Sequence, residues 1–153
     1  MKSLVIRRVG PQELPEALRL LAMLNPEVDA AELQQRLATI LGDHSHYQLH
    51  AAYEEDLMVG VCGIWVATKI WCGKYLEIDN LVVDPRWRSC GVGSRLMSAM
   101  ETIAGRLGCR ILVLDSYAAN TASHRLYHRL GYEIKGFHFV KAVGIHQSGE
   151  VPA

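Results

Sequence analysis

Leu4, Ile6 and Arg8 alternate with Val5, Arg7 and Val9, a period of two that predicts a short first strand. Leu14, Ala17, Leu18, Leu21 and Leu24 then recur at helical spacing, with Pro15 in the first turn where proline is tolerated. Asn25-Pro26 stops that helix. Asp29 and Glu32 have capping-box spacing ahead of Leu33, Leu37 and Ile40, so a second helix is expected to run to Gly42. From residue 47 the pattern changes to β-branched and alternating, with predicted strands at 47–53, 58–68 and 75–83. Glu54-Glu55-Asp56 and Trp71-Cys72-Gly73-Lys74 mark the turns, and Asp84-Pro85 closes the third strand. Links this short imply an antiparallel meander. Leu96, Met97, Met100, Ile103, Ala104 and Leu107 then form one face of a helix ending near Gly108. A short apolar strand follows at 111–114, and a last helix at 120–130 ends at Gly131. Residues 132–143 read as a further strand, and 144–153 as a polar tail. The order describes an α/β (α+β) domain over 1–143, a mixed sheet with about four helices on its faces.

Composition narrows the function classes. The chain has 153 residues, half of them apolar, with 16 Lys plus Arg balanced by 16 Asp plus Glu. That length suits one domain with a real core, without disulfide staples. Charge neutrality argues against a nucleic-acid backbone as partner, while leaving room for a local basic pocket. Cys62, Cys72, Cys90 and Cys109 show no CxxC spacing, which points to reduced thiols and a cytoplasmic protein. No apolar run approaches the ~18 residues of a membrane span.

The segment from Val82 to Ser94 concentrates the chemistry. It is a strand end, a turn, and a glycine-bearing loop that opens an amphipathic helix. A helix N-terminus carries unpaired N–H groups and partial positive charge. Gly91 and Gly93 let backbone approach an anion, and Arg88 adds charge beside them, so a diphosphate is the natural guest. A Rossmann fingerprint would need a third glycine where Leu96 stands, and a Walker loop would need Gly-Lys-Ser/Thr; neither is present.

Arg88-x-x-Gly91-x-Gly93 resembles the R/Q-x-x-G-x-G/A loop of the GNAT superfamily of N-acetyltransferases. Two more segments agree in order and spacing. Residues 76–83 look like that family's fourth strand, and Asn120-x-x-Ser123-x-x-Leu126-Tyr127-x-x-Leu130-Gly131-Tyr132 is similar to its N-x-x-A-x-x-[FL]-Y-x-x-x-G-[FY] segment. The resemblance covers nearly the whole chain. It implies the GNAT fold, with a mostly antiparallel sheet of six to seven strands splayed between the fourth and fifth. It also implies acetyl-CoA as donor, CoA as product, and direct attack by a primary amine of a small molecule or protein. The pyrophosphate would rest on Arg88, Ser89, Cys90, Gly91, Val92, Gly93 and Ser94, and the pantetheine arm along Leu81, Val82 and Val83. A backbone N–H near Leu81 would polarise the thioester. Asn120 and Tyr127 would contact the cofactor from the last helix. Homodimers are common in the family, but no feature here fixes a mode.

The reaction sets its own demand. An alkylamine of pKa ~10.4 is unprotonated in only about one molecule in 2,500 at pH 7, a cost of ~4.6 kcal/mol. Glu77 is the candidate base, eleven residues before Arg88 as the resemblance implies, and Asp79 is the reserve on the same strand face. Tyr127 matches the family's general acid for the departing thiolate. Each has a plainer alternative: Glu77 as a solvated carboxylate, Tyr127 as a core tyrosine. His124 and His128 have the spacing of a helical metal pair, but no third ligand accompanies them, so no metal is expected. The rival readings are an idle acyl-CoA-binding sensor or interaction module, and an enzyme with a macromolecular acceptor, of which tRNA is disfavoured by the neutral charge. Asp79 and Asp115 near the cleft would suit a cationic acceptor.

Overall fold

The computed structural model describes residues 4–144. Strand β1 (Leu4–Arg8) is followed by helices α1 (Leu14–Leu24) and α2 (Ala30–Asp43). Strands β2 (Tyr47–Glu54), β3 (Leu57–Lys69) and β4 (Gly73–Val83) come next, then α3 (Val92–Arg106), β5 (Ile111–Leu114) and α4 (Thr121–Arg129). The sheet order is β1-β2-β3-β4-β5, antiparallel from β1 to β4 and parallel between β4 and β5. The predicted helices form within a residue or two of their expected ends. Asp29 caps α2, its side chain accepting from the Glu32 N–H at 2.9 Å, as the capping-box spacing implies.

One expectation is corrected. Among the described residues the sheet has five strands rather than six or seven, because 132–143 forms no strand. The reason is physical: β-branched and aromatic residues fit a pleated surface rather than create one. This segment finds no partner strand, and Ile134, Phe137, Phe139, Val140 and Val143 remain exposed. The polar tail expected over 144–153 lies outside the described residues, Gly144 excepted.

Strand alternation builds a core on each face. On one face α3 lays Leu96, Met97, Met100 and Ala104 against Val59, Ile64, Leu76 and Ile78. On the other, Ala17, Leu20, Leu21 and Leu37 of α1 and α2 cover Leu49, Ala51, Tyr53 and Val61. The alternation breaks inside β4. Leu76 and Ile78 face α3, yet Val82, at the same parity, packs with the α1–α2 core. A register shift accounts for this: Gly63 pairs with Asp79 and Val61 with Val82, so Asn80 and Leu81 together oppose Cys62. Asn80 takes φ +51°, the left-handed value that such a bulge demands.

Candidate active site

β4 is where the sheet opens. Its pairing with β5 runs from Tyr75↔Ile111 to Ile78↔Leu114 and stops there. Beyond Ile78 the strand keeps β3 on one edge and, among the described residues, has no strand on the other. The bulge falls within this unpaired stretch and turns Leu81 and Val83 toward the α3 side. Backbone groups along this edge are therefore available to an extended ligand.

The strand runs directly into the loop before α3. Asp84 begins a single 3-10 turn at Pro85–Trp87, accepting from the Arg86 N–H at 3.0 Å. The Arg86 guanidinium reaches the same carboxylate at 2.9–3.0 Å, and Arg19 of α1 approaches it at 3.3 Å. These contacts hold the buried Asp84 carboxyl well below the usual carboxylate range, the Arg86 hydrogen bonds acting most strongly. The loop is thereby tied to α1. Ser89 has φ +61°, and Gly91 caps α3 at φ +80°, a conformation in which a Cβ would strain the backbone although open space surrounds it. The first bond of α3 runs from the Arg95 N–H to the Gly91 carbonyl, so the amides of Val92, Gly93 and Ser94 precede the helical ladder. Arg88 is exposed and donates weakly to the Val83 carbonyl at 3.4 Å. Cys90 is exposed on the same loop. Gly93 lies between Val83 and Leu126, whose side chains would meet its Cβ at 3.8 and 3.7 Å, so α4 closes over this loop.

The candidate chemical groups lie on opposite faces. Tyr127 packs against the α3-side core, and burial pushes its phenol up, with nearby Ser123 opposing. Glu77 lies on the other face of β4, half-buried beside its cross-strand partner Trp65. Burial raises its carboxyl above the usual range; Asp115 and Asp79 add to the rise, and Lys69 and His138 oppose it. Asn120 caps α4, accepting from the Ser123 N–H at 3.3 Å.

Several features of the site carried no readable motif. Trp65 donates its indole N–H to Asp79 at 3.0 Å, which fixes that carboxylate beside Glu77. Tyr47, His44 and His46 surround the Trp65 ring, with centroids 4.7, 5.4 and 5.4 Å away. Tyr47 fits there because residue 63 is glycine: a Cβ would come within 2.3 Å of its hydroxyl. Asp115 pairs with His138 at 2.9 Å, bringing the C-terminal segment to the same mouth. His44, His46 and Tyr47 carry no motif in the sequence, and only the fold places them around Trp65. Among the described residues no group of three His, Cys, Asp or Glu side chains is arranged to hold a metal, and no helix is long and apolar enough to cross a membrane.

Comparison with known proteins fits this geometry. Residues 14–132 match the model of the acetyltransferase (GNAT) family. An uncharacterised N-acetyltransferase of Bacillus subtilis (strain 168) is 29% identical over 133 residues, covering 86% of this chain and 93% of its own. The aminoalkylphosphonate N-acetyltransferase of Salmonella typhimurium (strain LT2) is 31% identical over 110 residues, covering 69% of this chain and 68% of its own. Among solved structures, an aminoglycoside N-acetyltransferase in complex with CoA superposes with a TM-score of 0.82 at 20% identity, over 94% of this chain and 96% of that one. The open strand and glycine-capped helix thus define an acyltransfer fold, and the chain belongs to the GNAT family. It is an N-acetyltransferase.

Proposed function

We propose that the donor is acetyl-CoA and the acceptor a cationic primary amine, attacked directly at the thioester. The observation that carries this reading is the unpaired half of β4 running into the αL cap at Gly91. An extended pantetheine arm suits the free edge at Leu81 to Val83, and a diphosphate suits the amides of Val92 to Ser94 beside Arg88. Acetyl-CoA supplies an activated acetyl thioester when bound. The residues of this chain do the rest. The Leu81 amide, turned by the bulge, is suited to polarise a carbonyl. Glu77, whose carboxyl burial raises above the usual range, is a stronger base than an ordinary carboxylate and so takes a proton from the amine directly or through water. Tyr127, kept protonated by burial, supplies a proton to the leaving thiolate.

The acceptor class follows from charge. Asp115 and Asp79 both act electrostatically on Glu77 at the mouth of the split, with Lys69 and His138 opposing them. Three carboxylates attract an ammonium group and repel a phosphonate, so an acceptor like that of the Salmonella relative is disfavoured. Four free thiols suit a reducing compartment, and we assign the protein to the cytoplasm.

A thermal-unfolding titration with acetyl-CoA, CoA and NADH tests the donor. At 100-fold excess over Kd, acetyl-CoA and CoA should raise Tm by roughly 5–10 °C and NADH should not. No shift at millimolar acetyl-CoA would remove the donor assignment. Thiol release across amines of matched size then tests the acceptor: equal turnover of cationic and neutral amines would overturn the charge argument.

A further inference from the structure

At the far edge of the sheet from the split, β1, β2 and the C-terminal half of α3 enclose a groove of about 440 Å³. Ala99, Thr102, Ile103 and Arg106 follow the i, i+3, i+4, i+7 spacing and present one helix face to it. Arg8 and His50 are cross-strand partners and line the opposite wall. A second hollow of about 300 Å³ shares Ile6, Ala99 and Thr102, extending the groove along α3 toward Arg95.

The polar groups of this groove are unfinished. His50 is 6% exposed, and its Nδ1 is buried without a hydrogen-bond partner among the described residues. Buried polar atoms left in that state are rare in folded proteins, and each asks for a ligand, a water or a function. Burial and the nearby Arg8 charge both push the His50 pKa down, so the apo groove holds a neutral ring beside a cation. Arg8 and Arg106 form no ion pair among the described residues, whereas Arg7 and Arg19 bind Glu13 and Glu16. The groove therefore combines two uncompensated guanidiniums, an unsatisfied imidazole and an apolar wall of Ile6, Ala99 and Ile103. Its volume is that of an ordinary small-molecule site.

We propose that this groove is a second binding site, for a small organic phosphate whose dianionic head lies between Arg8 and Arg106 beside His50 and whose apolar body lies on Ile6, Ala99 and Ile103. Two guanidiniums match the charge and the several acceptor oxygens of a phosphate monoester better than a single carboxylate would. The site shares α3 with the cofactor loop but none of the residues assigned to acetyl transfer, so it stands or falls apart from that assignment.

Phenyl phosphate is the probe, with phenol as the neutral comparator, and the His50 ring nitrogens followed by NMR are the readout. The expected result is a saturable His50 shift with phenyl phosphate alone, retained in excess CoA. The exposed double variant Arg8→Gln/Arg106→Gln should keep the fold and weaken binding at least about tenfold. No His50 response at millimolar phenyl phosphate would overturn the proposal. An equal response in the double variant would do the same, as would a response abolished by CoA, which would assign the phosphate to the cofactor loop.

Discussion

Strand β4 contains two regions with opposite properties. Over residues 73–78 it is held by β3 on one side, and from Tyr75 by β5 on the other. Leu76 and Ile78 are buried in the α3-side core. Over residues 79–83 it has β3 alone, with a bulge and a residue at positive φ. The first region satisfies its backbone within the sheet and contributes stability. The second leaves hydrogen-bonding groups along one edge, which a folded protein tolerates where solvent or a ligand completes them. On the proposed reading, donor binding and structural packing are divided along one strand, and substitutions should separate them.

The largest effect is expected next to the open half. Gly91→Val forces a β-branched residue to φ +80° and should abolish measurable acetyl-CoA binding in a calorimetric titration, with only a modest loss of Tm. Leu76→Ala, in the closed half, should do the reverse. It empties a fully buried position at a cost of about 2–5 kcal/mol while leaving the Kd for acetyl-CoA within a few-fold. If both variants lost stability and binding in parallel, the strand would not be divided in this way.

Next come the two chemical groups. Glu77→Gln and Tyr127→Phe should each lower kcat by roughly 10²-fold or more with little change in acetyl-CoA affinity. Their pH profiles should differ. On the proposed mechanism Glu77 acts ionised, so the rate should rise with pH through a pKa above the ordinary carboxylate range, and Glu77→Gln should erase that acidic limb. On the same mechanism Tyr127 acts protonated, so Tyr127→Phe should erase an alkaline limb lying above the ordinary phenol range. Stability supplies a second test for Glu77. A raised folded-state pKa favours folding below the unfolded value of ~4.3, an advantage lost as pH rises through the folded value. Above the folded value the buried charge is thus a burden, and there Glu77→Gln should raise Tm slightly.

Asp84 ends the open half and anchors it to α1. Its depressed pKa has the opposite sign: the stabilisation is present above the unfolded value of ~3.9 and is lost as pH falls through the folded one. Asp84→Asn should lower Tm by a few degrees at pH 7, and the gap between variant and parent should close in melts below about pH 4. A gap that persisted unchanged at pH 2 would mean that the Arg19 and Arg86 contacts are not its source.

The closed half was far more legible in the sequence than the open one. Periodicity located all four helices, and Ile111–Leu114 formed at its expected limits, because local burial patterns are written in local spacing. The glycine turn that opens α3 was also legible, since Gly91 stands just before the amphipathic run that begins the helix. The bulge was not: Asn80 carries no signal that distinguishes a strand interior from a left-handed kink until β3 sets the register. Nor were the Arg19–Asp84 tether, 65 residues apart in the chain, and the Trp65–Asp79 hydrogen bond. Residues 132–143 show the opposite error, a strand-like pattern that pairs with no strand among the described residues. Local spacing predicts elements, whereas pairings depend on which neighbours the fold delivers.

The smallest expected effect falls on Asn120, where a structural role and a cofactor role overlap. Its side chain caps α4, and the long 3.3 Å bond to the Ser123 amide places the loss in Asn120→Ala at or below about 1 kcal/mol, a Tm change of roughly 2–4 °C. Asn120→Ser separates the roles, because serine caps a helix as well but cannot reproduce a carboxamide contact. If Asn120 touches the cofactor arm, Asn120→Ser should keep the parental Tm yet weaken acetyl-CoA several-fold, while Asn120→Ala loses on both counts. Parental affinity in both variants would reduce Asn120 to a cap. The cofactor would then be held entirely by the free edge of β4 and the turn before α3, which is the sharpest form of the division between the two halves of the strand.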